Sequence, residues 1–298
     1  MLYDDDEEPA TSLFFGAEIP TRPREDGAPA QMLGLASSRD GDDRIAYLDE
    51  LGRLATQAGR YADAWSYLQR VLDLQRSVDA PAPARARTCC RLAVVAARRG
   101  ELDEAGALLR AAAALTPDIH ASVLHNLAFL ARRAGALDEA EALYGECLAL
   151  KLETCGWEDP SVAATLGARG QLELLRGRPT AALRHLLPAR HIYELCAAAV
   201  SSGMGFVLTA MGRAYRALGM LAHAMAAFER ALAVREAIQV PPEQLACSRY
   251  HLAAALWPGA PAEAQGLARA ALAEYERGPC PQLRHVRVMQ AWIEHHQP

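Results

Sequence analysis

The chain has 298 residues, 51% hydrophobic but only 6% aromatic, with 31 basic and 36 acidic residues and a net charge of −5. Alanine and leucine, both strong helix formers, dominate the apolar content, and the β-branched residues that favour strands are sparse, so composition excludes a β-rich fold. The first 43 residues hold eleven acids against Arg22, Arg24 and Arg39, a net of −8 that leaves +3 for the remainder. An acidic tail on a weakly basic body lacks the concentrated basic face that general nucleic-acid binding requires.

In chain order, residues 1–43 come first and open on the run Asp4 to Glu8. Pro9, Pro20, Pro23 and Pro29 interrupt any helix there, which predicts a largely disordered acidic tail. Within it, residues 12–20 (SLFFGAEIP) place Leu13, Phe14 and Phe15 beside acids, a candidate short motif suited to a basic, partly apolar groove on this chain or on a partner. The opening MLYDDDEEPA has neither the basic start nor the apolar run of a secretory leader. No stretch approaches the ~18 apolar residues that span a bilayer. The seven cysteines are scattered with no CxxC pair, as in reduced proteins, so a soluble cytoplasmic chain is expected.

Residues 44–282 are repetitive. Six segments align on the glycines Gly59, Gly100, Gly135, Gly177, Gly219 and Gly259, spaced by 41, 35, 42, 42 and 40 residues. Five residues after each glycine stands alanine: Ala64, Ala105, Ala140, Ala182, Ala224 and Ala264. Nine after it stand Leu68, Leu109, Tyr144, Leu186, Phe228 and Ala268, and twelve after it Val71, Ala112, Cys147, Ala189, Ala231 and Ala271. Glycine ends a helix by adopting the left-handed conformation, the small alanine lets two helices approach, and the residue at plus nine fills the space beside it. Each unit is therefore a helical hairpin that must stack on its neighbours to bury its apolar stripe. Repeats four and six depart from the pattern. Arg169 stands where an apolar residue is expected, Pro188 falls inside a helix and should kink it, and WPGAP lengthens the sixth turn by one residue. Residues 283–298 supply a capping helix and the C-terminus.

The pattern resembles the tetratricopeptide repeat, in the longer form of roughly 42 residues found in kinesin light chains and many bacterial proteins. Residues 120–162 carry the likeness best, with HNLA, DEAEALY and DPSV. The resemblance implies an all-α, right-handed superhelical solenoid of about six hairpins. It also implies that the first helix of each hairpin lines a concave, partner-binding face. Transferred position by position, that face comprises Asp49, Arg53 and Gln57; Arg87, Cys90 and Arg98; Ser122, His125, Asn126, Phe129, Arg132 and Arg133; Gln171; Phe206, Thr209, Arg213 and Arg216; and Tyr250 with Trp257. Seven of these are arginines and one is an acid. The strongest candidates are Arg98, His125, Asn126, Phe129, Arg132, Arg133, Gln171, Arg213, Arg216 and Tyr250. Arginine pairs bidentately with carboxylates, and Asn126 matches a family asparagine that holds peptide backbone.

Enzyme chemistry finds no foothold. GxSxG, HExxH, P-loop and GxGxxG motifs are absent, and Ser201–Gly205 lies at a hairpin junction rather than in a phosphate loop. Adjacent His295 and His296 point about 100° apart on a helix and do not grip one metal ion easily. Asp103-Glu104 and Asp138-Glu139 begin second helices, where they complement the helix dipole. Cys89 and Cys90 read as one core thiol and one groove-facing thiol.

The expected function is a non-catalytic adaptor, without metal or cofactor, that binds an acidic or partly apolar segment of a partner protein. Its own tail is a candidate competitor for the groove. Two alternatives are a regulatory or sensor subunit acting on an effector (a protease, kinase or transcription factor) and a structural assembly subunit. Neither nucleic acid nor membrane is expected as a partner, and the sequence leaves the oligomeric state open.

Overall fold

The computed structural model describes residues 41–296, except 58–59, 117–119, 197, 239, 241 and 278–282; residues 1–40, with the Leu13-Phe14-Phe15 motif, lie outside the described residues. The described residues are helical throughout, with no strand among them. In chain order the helices are α1 (Gly41–Gln57), α2 (Tyr61–Ser77), α3 (Ala82–Arg99), α4 (Leu102–Leu115), α5 (His120–Arg133), α6 (Leu137–Cys155) and α7 (Pro160–Leu175). They continue with α8 (Pro179–Leu195), α9 (Ser202–Ala217), α10 (Leu221–Ala237), α11 (Pro242–Leu256), α12 (Pro261–Arg277) and α13 (Leu283–His295).

These residues form two compact units, one ending at Leu143 and one beginning at Tyr144. In the first, α1 packs on α2 and α3 on α4, and each pair is stacked through α2 on α3 and α4 on α5. In the second, the pairs are α7–α8, α9–α10 and α11–α12, stacked through α8 on α9 and α10 on α11, with α13 on α12. The first helices of the second unit also touch in series, α7 to α9 and α9 to α11.

The turns explain the spacing. Gly100, Gly135, Gly177 and Gly219 have φ of +87°, +80°, +70° and +74°. In each case the residue after the glycine donates its N–H back five positions: Glu101 to Ala96 O, Ala136 to Ala131 O, Arg178 to Glu173 O and Met220 to Tyr215 O, at 2.8–2.9 Å. That closure satisfies carbonyls the helix end would leave bare, and it requires the left-handed residue. The sixth turn differs from expectation. Gly259 is not left-handed, and Ala260 N–H reaches only four residues back, to Leu256 O at 2.9 Å. With the extra residue in WPGAP, the closure five residues back gives way to one four residues back. Gly156, which the repeat alignment does not single out, is left-handed at +80° where α6 ends.

Beyond the turns, all eighteen alanine, plus-nine and plus-twelve positions are at most 1% exposed. Close helix approach also depends on glycines seven residues before the turn. A Cβ on Gly52 would lie 2.9 Å from Leu68, one on Gly170 2.5 Å from Leu186, and one on Gly212 2.5 Å from Phe228. Pro188 sits inside α8, which nonetheless runs unbroken from Pro179 to Leu195.

Candidate peptide-binding site

In the first unit the first helices of the hairpins, α1, α3 and α5, carry the expected charge, and part of it is neutralised locally. Arg53 Nε donates to Glu50 Oε2 at 2.7 Å, and Arg91 pairs with Asp49 across to the next hairpin. The hydrogen bond from Arg53, with the charges of Arg53 and Arg91, holds the Glu50 carboxyl below its ordinary pKa. Glu50 in turn raises Arg53. Arg87, exposed, and Arg98, partly exposed, form no ion pair among the described residues.

The richest cluster lies on α5. His125, Asn126, Phe129 and Arg132 are all at most 5% exposed. The guanidinium carbons of Arg132 and Arg133 stand 5.2 and 5.9 Å from the centroid of the Phe129 ring, within range of cation–π attraction. Arg133 Nη1 also donates to Ala97 O at 3.1 Å, tying α5 to α3. Asn126 is different. Its carboxamide oxygen and nitrogen are both buried without a hydrogen-bond partner, which costs ~1–3 kcal/mol for each unmet group.

In the second unit, Gln171 on α7 is buried and Arg213 and Arg216 on α9 are partly exposed. Thr209 Oγ1 donates to Gly205 O within its own helix at 2.9 Å, and Phe206 is buried. Tyr250 packs with Ala246, Ala271, Tyr275 and Met289 and meets Trp292 edge-on at 6.0 Å. Trp257 meets Trp292 at 5.7 Å. These two aromatics are thus engaged by α13. His296 stacks on Trp292 at 4.3 Å, and no group of three or more potential metal ligands occurs among the described residues.

Several features escaped sequence reasoning. Cys89 and Cys90 are both buried, so neither thiol faces a groove, and burial pushes Cys90 up to about 12. Cys155 is exposed instead. Lys151, the single lysine of the chain, is buried. Its Nζ donates to Ser161 O and Thr165 Oγ1, both at 2.9 Å, linking α6 to α7. Arg235 on α10 is buried and hydrogen-bonded to Ser248 of α11. Its stem runs over Gly205, whose missing side chain was the one local signal for it. Among the described residues no helix is long and apolar enough to cross a membrane.

Antiparallel hairpins repeated around left-handed glycines, with small residues at fixed offsets, define a helical-repeat protein. The tetratricopeptide repeat profile matches residues 120–195 and again 207–238, so these residues carry tetratricopeptide repeats. Its fold is similar to that of BtubC (BKLC) from P. vanneervenii, with TM-score 0.54 and 20% identity over 82% of this chain and 94% of that one. It is also similar to a putative kinesin light chain with TPR-like repeats from Podosopora anserina, with TM-score 0.51 and 23% identity over 68% of this chain and 99% of that one. A signal transduction ATPase from Pyrococcus horikoshii with a tetratricopeptide repeat sensor superposes with TM-score 0.61 at 14% identity, over 90% of this chain and 41% of that one. No curated protein matches in sequence.

Proposed function

We propose that this chain is a non-catalytic adaptor whose inner, arginine-bearing helices bind an acidic, partly apolar segment of a partner protein. The observation that carries the reading is Asn126. A carboxamide with donor and acceptor both idle is complementary to a peptide unit, which offers one N–H and one C=O. It sits on α5 with His125, Phe129, Arg132 and Arg133. Because it is only 1% exposed, a peptide amide reaches it as the side chains around it move aside, with charge and an aromatic ring then beside the backbone contact. Arg98 extends the basic character on α3 of the same unit, and rim arginines of this kind attract carboxylates. The acidic tail with Leu13, Phe14 and Phe15 has the composition of such a ligand and competes for the same face.

The test is titration of a labelled peptide spanning residues 1–18 against the full chain and against Asn126→Ala, Arg98→Glu and Arg133→Glu. Each substitution should weaken binding by at least ~10-fold, since loss of a buried backbone contact or reversal of a paired charge costs ~1.5–3 kcal/mol. Circular dichroism confirms that each variant stays folded. Equal affinity for all four proteins would sink the inner-face reading and move the function to the outer face or the ends.

A further inference from the structure

We propose that a second copy of this chain is a ligand of that inner face, and that the segment it inserts is the connection between α6 and α7. The proposal rests on the reading above and names one occupant for it.

Residues 152–158 are all exposed. Leu152 is 36% and Trp157 47% exposed, against a chain in which most large apolar side chains are buried. The left-handed Gly156 turns the backbone immediately before Trp157. Glu153 and Glu158, on either side of the turn, form no ion pair among the described residues, whereas the Asp159 carboxylate accepts the Ser161 N–H at 2.8 Å and caps α7. The base nearest in sequence, Lys151, is buried and committed to Ser161 and Thr165. An exposed tryptophan flanked by free carboxylates is costly to leave in water and typical of an interface anchor. Its chemistry is acidic and aromatic, the complement of arginine, and this chain itself displays Arg87 and Arg98 unpaired.

Loop-to-loop contact would set Glu153 and Glu158 against their own copies, a like-charge juxtaposition that opposes association. Insertion of the loop on the arginine-bearing face of another copy avoids this. Such a contact is heterologous: every copy keeps one free loop or one free face, so assembly proceeds head to tail into rings or open chains.

The experiment is sedimentation of the full chain across a concentration series, with Trp157→Ala, Arg98→Glu and a mixture of the two. The wild type should assemble beyond a dimer. Trp157→Ala should weaken assembly by ~30-fold, as expected for an interfacial tryptophan anchor, and Arg98→Glu should weaken it comparably. The mixture should recover a 1:1 dimer that grows no further, because one intact loop meets one intact face. Three results would overturn the proposal: a wild type that is monomeric throughout, assembly indifferent to Trp157→Ala, or Arg98→Glu assembling normally by itself through loop-to-loop contact. The labelled 1–18 peptide is titrated in the same series. If it still binds in an Arg98-dependent way, only the second-copy proposal falls; if it does not, the inner-face reading falls with it.

Discussion

Replacing Gly212 by alanine tests the close helix packing that positions α9 and its residues Phe206, Thr209, Arg213 and Arg216. The added Cβ would lie 2.5 Å from Cε1 of Phe228 and 2.7 Å from both Cδ1 and Cζ. Ordinary carbon–carbon contact is ~3.5–4.0 Å, so α9 and α10 must part by about 1 Å or the fully buried ring must leave its place. Overpacking of this kind costs ~1–3 kcal/mol. The alanine recovers ~1 kcal/mol of helix propensity, for a net loss of up to ~2 kcal/mol. At ~2–4 °C per kcal/mol, the transition of the unit from Tyr144 onward should fall by up to about 8 °C. Gly266 in α12 is the internal control, because nothing lies within 4 Å of its would-be Cβ, and Gly266→Ala should stabilise by ~0.5–1 kcal/mol. Thermal melts followed by circular dichroism decide between them, and Phe228→Leu closes a double-mutant cycle in which the penalty of Gly212→Ala should shrink. If Gly212→Ala raises the midpoint as Gly266→Ala does, the close approach of α9 and α10 is wrong.

Three further outcomes follow from buried or strained groups. Burial raises Cys90 from 9.0 to about 12. The unfolded thiol therefore ionises first, and stability should fall from pH 9 toward pH 12 by up to ~4 kcal/mol; urea midpoints measured against pH should lose that limb in Cys90→Ala. Burial lowers Lys151 from 10.5, so the folded state sheds its proton first. Stability then rises with pH from the lowered value to 10.5, is lost as pH falls through the lowered value, and should lack this rise in Lys151→Met by the same measurement. Gly219→Ala should cost ~1–2 kcal/mol, because its φ of +74° strains any side chain although nothing crowds the Cβ. Gly259→Ala, free of both constraints, should leave the melting midpoint within about 1 °C of wild type.

The hairpins were legible in the sequence because their physics is local and repeated. A glycine five residues before an alanine sets both the turn and the first hydrogen bond of the next helix: Ala105, Ala182 and Ala224 each donate to the residue after their glycine at 3.0 Å. The same regularity hid the exceptions. Gly259 sits in register with the other turn glycines yet does a different job, because one inserted residue changes which carbonyl its neighbour can reach. Gly170 and Gly212 read as weak points inside helices. Only contact with Leu186 and Phe228, sixteen residues on, shows them to be the clearance that lets the hairpin close.

The site was less legible, for a reason that decides how its charge works. Counting arginines on one face of each first helix gives seven cations but not their commitments, which are made to residues distant in sequence. Arg133 reaches the Ala97 carbonyl, 36 residues back, and the one acid counted, Asp49, is taken up by Arg91, an arginine outside the count and 42 residues on. Arg53 is held by Glu50 one turn away. A guanidinium already paired gains little from a second carboxylate and must desolvate to meet it, so these groups orient the face more than they attract to it. On the proposed reading, attraction falls instead to Arg87 and Arg98 on α3, which form no ion pair among the described residues. A charge reversal at Arg98 should therefore weaken an acidic ligand more than one at Arg53, where Glu50 already supplies the opposing charge.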